Sequence, residues 1–293
     1  MRRTRDTVLV KANAILVADL HLSEETPVSR IDDYHAAQIK KLKFLQKLSN
    51  QNNNCPVICS GDVFDRWKSS PWLLSMVYKY LPRPFYTIPG NHDLPLHSME
   101  NFDKAALSLL AQVDENIHII LDGKMKLDGR KILILHQMVW HKRKPPWSQT
   151  SVTDTELLEQ YDGAYDLILT GDNHISFTAN TEKTILVNPG SMMRKNVDQA
   201  DAQPRCFLYY TTNTTTNSIT PVFFPIDHNV HNTERIMIEQ NRDERISAYI
   251  ERMKKDWEIG LSFEKSLQAF FDKNNTSERV RKIICNQLEQ AKV

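Results

Sequence analysis

An α/β protein is what this sequence predicts, and three observations predict it. Short apolar runs alternate with longer segments whose apolar residues recur at helical spacing. Several of those runs stop at Gly, Asp, Asn or His. Turn signals such as Asp122-Gly123, Asp128-Gly129 and Pro189-Gly190 separate the pieces. Helices between strands gather the strand ends on one edge of a sheet, where an α/β protein presents its chemistry.

Thr7 to Val10 and Ala14 to Ala18 read as strands, and Asp19-Leu20-His21 follows at once. After a loop containing Pro27, a helix is expected from Asp32 to Leu48, with lysines on its solvated face. Pro56 to Cys59 is a short buried strand leading into Ser60-Gly61-Asp62. Trp72 to Tyr80 is helical, and Phe85 to Ile88 is a strand that turns into Pro89-Gly90-Asn91-His92-Asp93. A helix over Phe102 to Ala111 precedes three strands, Ile117 to Leu121, Lys124 to Leu127 and Lys131 to Leu135, the last ending at His136. Gln137 to Thr153 reads as a long loop and Asp154 to Gln160 as a short helix. Leu167 to Leu169 leads into Gly171-Asp172-Asn173-His174, and Ile185 to Val187 into Asn188-Pro189-Gly190. Phe207 to Thr211 and Ile219 to Phe224 form a closing hairpin. From Thr233 the character changes, and helices are expected near Gln240 to Glu258, Phe263 to Phe271 and Ser277 to Gln290.

The 293 residues allow one large or two modest domains. With 41% hydrophobic and 25% charged residues, the chain reads as an ordinary globular protein with a sizeable core. No apolar run reaches the ~18 residues of a membrane span, so no membrane partner is expected. The net charge of +1 removes any argument for nucleic acid from charge alone. Four cysteines without paired zinc spacing read as reduced thiols of a cytosolic protein.

The strand ends, taken in order, carry Asp19 and His21; Asp62; Asn91 and His92; His136; Asp172 and His174. Asp-x-His on an extended segment lets two side chains point the same way, and the spacing recurs at Asp172 and His174. Carboxylates with imidazoles suit divalent first-row metals. The set is too large for one ion and about right for two. A metal pair ~3.5–4 Å apart shares a bridging carboxylate and clamps both oxygens of an in-line displacement. The reaction class this suggests is phosphate-ester hydrolysis.

The ordered set Asp19-x-His21, Gly61-Asp62-x-x-Asp65, Gly90-Asn91-His92-Asp93, His136 and Gly171-Asp172-x-His174 resembles the signature of the calcineurin-like metallophosphoesterases. The resemblance covers residues 7 to 225. It implies a β-sandwich flanked by helices, in four layers α/β/β/α, with a C-terminal helical appendage. A catalytic domain over 1–231 would be followed by a cap or partner-binding region over 232–293. It further implies that Asp19, His21 and His174 hold one metal, that Asn91, His136 and Asp172 hold the other, and that Asp62 bridges. His92 would act beside the scissile phosphate and Asp93 would orient it; Asp65 would be structural or support a ligand from behind, and not itself a ligand. Two departures stand out: the family usually has His at the position of Asp172 and often Gly at that of Leu135. The carboxylate of Asp172 favours Mn2+ or Mg2+, with Fe and Zn2+ as alternatives.

Within the family, Ala18 to Asp33, Gly171 to His174 and Asn188 to Arg194 look most like the phage-type relatives of the DNA double-strand-break repair nuclease. That likeness implies DNA as substrate, a coiled-coil ABC-type ATPase bound through the C-terminal helices, and action in the host cytoplasm. A homodimer is compatible with it. The basic run Lys142, Arg143 and Lys144 with Trp147 lies in the loop after His136, where cations meet phosphates and an aromatic ring stacks on a base. Arg30 and Arg194, near the motif loops, are further candidates for phosphate contact. The expected activity is therefore a dinuclear-metal phosphodiesterase acting on DNA, as exo- or endonuclease. The alternatives are a small-molecule phosphoesterase on the same scaffold and, because of Asp172, an adaptor with a degenerate site.

Overall fold

The computed structural model describes residues 10–145, 148, 151–212, 218–232, 267 and 270–290. Two compact units divide the chain, Met1–Asn232 and Thr233–Val293. The first is built on two sheets. In one, β1 (Ala14–Val17), β2 (Val57–Cys59), β3 (Phe85–Thr87) and β4 (Ile117–Ile119) run parallel, and β12 (Arg205–Tyr209) and β13 (Ile219–Phe223) extend it antiparallel from β1. In the other, β6 (Arg130–His136), β9 (Leu167–Gly171) and β11 (Ile185–Asn188) are parallel, with β5 (Lys124–Leu127) and β10 (Phe177–Asn180) as antiparallel edges.

Strand periodicity explains how the sheets stack. Successive side chains on a strand point to opposite faces. Ala14, Leu16, Ile58, Ile132, Ile134, Leu167, Leu169 and Val187 thus meet in one core between the sheets. Their neighbours Ile15, Val17, Val57 and Cys59 face outward onto α1 (Tyr34–Gln51), α2 (Pro71–Tyr80) and α3 (Ala106–Val113). On the far side Leu133, Ile168 and Leu186 pack against Leu157 and Leu158 of α4 (Asp154–Tyr161). This is the expected four-layer α/β/β/α sandwich. At about 1.5–3 kcal/mol per buried aliphatic side chain, these three cores are its main stabilising term.

Local chemistry sets the helix starts. The Asp33 carboxylate accepts from the Ala36 amide at 2.9 Å to begin α1, and Ser70 with Pro71 begins α2. Both are standard solutions for the unpaired amides of a first turn. Thr153 and Glu156 form a reciprocal capping box on α4.

Four local expectations need correction or placing. The long segment after His136 is not plain loop: Val139–Trp140 (β7) pairs parallel with Val152–Thr153 (β8). The helix expected over Phe102 to Ala111 breaks, with a 3-10 turn over Met99–Lys104 and α3 starting at Ala106. Strand β10 was not anticipated, because Phe-Thr-Ala-Asn carries almost no apolar signal. The strand expected at Thr7 to Val10 lies outside the described residues except for Val10, which is irregular. In the second unit α5 (Glu278–Gln290) is helical as expected, while the two preceding helices fall largely outside the described residues. Among the described residues, no helix is long and apolar enough to cross a membrane.

Candidate metal centre

The parallel strands β1, β2, β3, β6 and β9 deliver their following loops to one edge of the sandwich. The backbone there is strained. Of the twelve non-glycine residues with positive φ among the described residues, four are Asp19, His21, Asp62 and Asp172. Left-handed backbone is unfavourable for L-residues by roughly 1–2 kcal/mol each, and such strain collects where geometry serves function. Close approach adds a second constraint. A Cβ on Gly90 would lie 2.1 Å from Asp62 Oδ1, and one on Gly61 would lie 2.7 Å from His136 Nδ1. Only glycine lets these loops converge.

What converges is a tight set of donors. His21 Nε2 lies 3.1 Å from His174 Nε2, 3.6 Å from Asp62 Oδ2 and 3.9 Å from Asp19 Oδ1. His174 Nε2 is 4.0 Å from Asp19 Oδ1. On the other side His136 Nε2 lies 3.2 Å from the same Asp62 Oδ2 and 2.6 Å from Asn91 Oδ1. Asp62 thus stands between two groups, Asp19 with His21 and His174, and Asn91 with His136. Its Oδ1 is held by the His92 amide at 2.8 Å.

The surrounding contacts aim these groups. His136 Nδ1 lies 2.7 Å from the Ser60 carbonyl, so it donates there and leaves Nε2 facing Asp62. The His21 Nδ1 is 3.3 Å from Asp65 Oδ1, near enough for charge although not aligned as a hydrogen bond. Asp65 in turn pairs with Lys195. His92 Nδ1 is 2.7 Å from the Asp65 backbone carbonyl, and its ring meets that of His21 edge to face.

Electrostatics follow from burial and crowding. Burial pushes the Asp19 carboxyl up to about 6, against the charges of His136 and His21. Burial also pushes Asp62 up, but the hydrogen bond and charge of His136, with His21, outweigh it and hold the carboxyl below its usual range. His136 goes up to about 9 because its bond and attraction to Asp62 exceed the cost of burial. Burial and the neighbouring His21 bring His174 down to about 4.

This donor set fits divalent cations. Asp19 Oδ2 is buried and has no hydrogen-bond partner among the described residues, an arrangement that costs stability unless something positive meets it. Carboxylate, imidazole and amide oxygen together are the ligands of divalent first-row metals. Three groups of carboxylate and imidazole atoms cluster at ligand spacing: Asp19 with His21 and His174, His21 with Asp62 and His92, and Asp19 with Asp62 and His136.

Several sequence-derived roles are corrected. The Asp172 carboxylate joins none of the three clusters; its amide donates to Asp19 Oδ1 at 3.1 Å, and the side chain lines the adjoining cleft. Asp93 does not hold His92. It is fully buried, pushed up to about 6 by burial, and accepts from the amides of Val63, Phe64 and Gly90, so it locks two site loops together. Arg30 and Arg194 are not free for phosphate. Arg30 is buried on Asp32 and the Arg194 carbonyl, and the Arg194 guanidinium donates to the carbonyls of Ala200 and Asp227. Lys142 and Arg143 are exposed, Lys144 lies 3.5 Å from Glu156, and Trp147 is outside the described residues. Lys195 was missed; a lone lysine after Met193-Arg194 carries no signal in sequence.

The sandwich and its clustered donors define the class, a phosphoester hydrolase with a metal-type centre. The family model of the calcineurin-like phosphoesterase superfamily domain matches residues 13–215, and the chain belongs to that family. Solved structures similar to it include an archaeal phosphodiesterase, with 15% identity, coverage of 72% of this chain and 98% of that one, and a TM-score of 0.43. Vacuolar protein sorting 29 from Cryptosporidium parvum is also similar, at 15% identity, 73% and 97% coverage and a TM-score of 0.37. So is a single mutant of Vps29 from Entamoeba histolytica, at 14% identity, 72% and 99% coverage and a TM-score of 0.37. No curated protein matches the chain.

Proposed function

We propose that the protein is a two-metal phosphodiesterase acting on DNA. The observation that carries the two-metal reading is Asp62, whose Oδ2 faces His21 at 3.6 Å and His136 at 3.2 Å. Asp19, His21 and His174 would hold one ion and Asn91 and His136 the other, with Asp62 within reach of both groups. When bound, such a pair supplies Lewis-acid activation of water and neutralises charge on a phosphoryl group. Mn2+, Mg2+, Fe and Zn2+ are all compatible with this set of carboxylate, imidazole and amide-oxygen ligands.

The chain's own residues supply the rest. His92 donates Nδ1–H to the Asp65 carbonyl, so Nε2 is the atom that exchanges a proton with the leaving oxygen. Asp93 and Asp62 fix the backbone of the His92 loop, so the imidazole needs little rearrangement to act. The exposed cations Lys142 and Arg143 follow β7, whose Trp140 lines the cleft beside His174. That placement favours a polyanionic substrate. The likeness of the motif segments to phage-type DNA-repair nucleases supports DNA, and with it action in the cytoplasm. The helical second unit is then the attachment for a coiled-coil ABC-type ATPase or a second copy.

A small phosphoester on the same scaffold is the competing reading, favoured by the small-molecule size of the adjoining cleft. The test is hydrolysis of labelled single- and double-stranded DNA with Mn2+, beside a panel of nucleotides and phosphomonoesters. DNA cutting that EDTA abolishes is expected. Turnover of nucleotides with no cutting of any DNA would sink the DNA reading.

A further inference from the structure

His21 presents Nε2 to the donor set, so the proton of its neutral ring sits on Nδ1, on the far side. That Nδ1 is buried and has no hydrogen-bond partner among the described residues. A buried N–H without an acceptor is disfavoured, and a histidine that holds an ion is normally steadied by an acceptor behind it. The acceptor within reach is Asp65, whose Oδ1 lies 3.3 Å away.

What keeps that oxygen in place is the other partner of Asp65. The carboxylate is partly exposed, so left alone it could turn to water. Among the described residues, the Lys195 ammonium is the group that hydrogen-bonds it, and it does so through the same Oδ1. The neighbouring cation Arg66 is spent on Glu25, at 2.7 and 2.8 Å. The Lys195 side chain is largely buried, an environment lysine enters only with a partner.

Lys195 is carried on a clamped segment. Its amide donates to Gln199 Oε1 at 2.7 Å, and its carbonyl accepts from Ser29 Oγ at 2.7 Å. Just before it, the Arg194 guanidinium is fixed on two carbonyls and the Met192 amide donates to the Asp19 carbonyl at 3.1 Å. The segment after β11 thus delivers a cation to a carboxylate of the loop after β2. That carboxylate in turn faces His21 in the loop after β1.

We propose that Lys195 is a positioning residue for His21: it pins Asp65 so that Oδ1 stands behind Nδ1 and Nε2 is aimed at the ion. The proposal rests on the two-metal phosphodiesterase reading and adds to it a residue that acts through Asp65, touching neither ion nor ester.

The experiment uses the full chain. Calorimetry with Mn2+ on the metal-free protein is paired with hydrolysis of bis(p-nitrophenyl) phosphate across a Mn2+ titration. Lys195→Met should weaken Mn2+ binding about tenfold, and raise the Mn2+ needed for half activity as much, the lower end of the cost of disturbing the support of a metal-binding histidine. At saturating Mn2+ its kcat and KM should stay within about twofold of wild type, because the ammonium does not meet the ester. Lys195→Arg keeps a cation on Asp65 and should restore Mn2+ binding to within about threefold. Asp65→Ala removes the carboxylate and leaves the backbone carbonyl that holds His92. In the Asp65→Ala background Lys195→Met should shift Mn2+ affinity by less than about twofold, since its route to His21 is gone. A loss that persists in that background would overturn the proposal. So would wild-type Mn2+ affinity in Lys195→Met, a raised KM at unchanged Mn2+ affinity, or no Mn2+ binding by the wild type. An Asp65-dependent effect of Lys195 on Mn2+ binding, in a chain that hydrolyses no phosphoester, would keep the proposal and sink the phosphodiesterase reading. Should Lys195→Met fail to fold, Lys195→Ala carries the same comparisons.

Discussion

His92 is held by the backbone carbonyl of Asp65, 2.7 Å from its Nδ1, and not by any carboxylate. A neutral partner of this kind fixes the tautomer without committing the ring to a charge. No metal contact is needed for His92 to act, so we expect His92→Ala to keep its metal and lose about 10²–10⁴ of kcat, the usual weight of a proton-transfer residue. Elemental analysis and steady-state kinetics on the same preparation check this. Loss of metal in that variant would show that His92 is a ligand, as its place in a cluster with His21 and Asp62 also permits. Asp65→Asn is the control: it leaves the carbonyl on His92 and removes the charge that faces His21 and pairs with Lys195.

Much of this arrangement was legible in the sequence. Apolar runs ending in Asp, Asn and His located every strand that feeds the site, because a buried parallel strand leaves a strong local signal. The inner and outer faces follow from alternation within those runs. Three things were illegible. The left-handed backbone at Asp19, His21, Asp62 and Asp172 arises from convergence of distant loops. The burial of Arg30 and Arg194 depends on carbonyls that only the tertiary fold supplies. The Asp172 amide, and not its carboxylate, is what the fold brings to Asp19, at 3.1 Å, and spacing along the chain does not reveal that.

Protons should compete with metal at this centre. In the metal-free protein Asp19 titrates near 6 and His136 near 9, both raised. Each contributes stability that is fully present below its unfolded pKa, ~3.9 or ~6.5, and is lost as pH rises through the folded value. His174, lowered to about 4, opposes this: its contribution is present above ~6.5 and is lost as pH falls through 4. Metal affinity should therefore climb from pH 5 to 9. At pH 7 binding should release about one proton, mostly from His136. Calorimetry in two buffers of different ionisation enthalpy measures that release. A pH-independent affinity would show that the cluster does not take up the ion.

The basic segment after β7 yields a salt-dependence test. Lys142 and Arg143 are exposed, whereas Lys144 is near Glu156. Replacing all three with Gln should weaken DNA binding and lower the slope of log K against log salt by about 2, since each phosphate contact contributes roughly 0.9. Fluorescence anisotropy across a salt series measures the slope. An unchanged slope would mean that these cations are simply solvated.

Lys41 links the first helix to the metal centre, and its charge state is the last point open to test. Its Nζ donates to the Met192 carbonyl at 2.5 Å, and the Met192 amide donates to the Asp19 carbonyl at 3.1 Å. Burial first, then the nearby charges of Arg194 and Arg30, bring the amine down to about 7, against weaker support from Asp227 and Asp32. Between pH 7 and about 10.4 the unfolded chain holds a proton there that the folded chain lacks, so stability rises with pH through that window. Lys41→Met removes this term while filling much of the same space, and leaves the Met192 carbonyl without its donor at every pH. Wild type should therefore gain stability relative to Lys41→Met as pH is raised from 7 to 10 in denaturant titrations. His136 drifts the other way in both proteins and cancels in the difference. Parallel stability curves would mean that Lys41 stays charged inside the fold, held by its carbonyl and the aspartates, and that burial is the weaker influence.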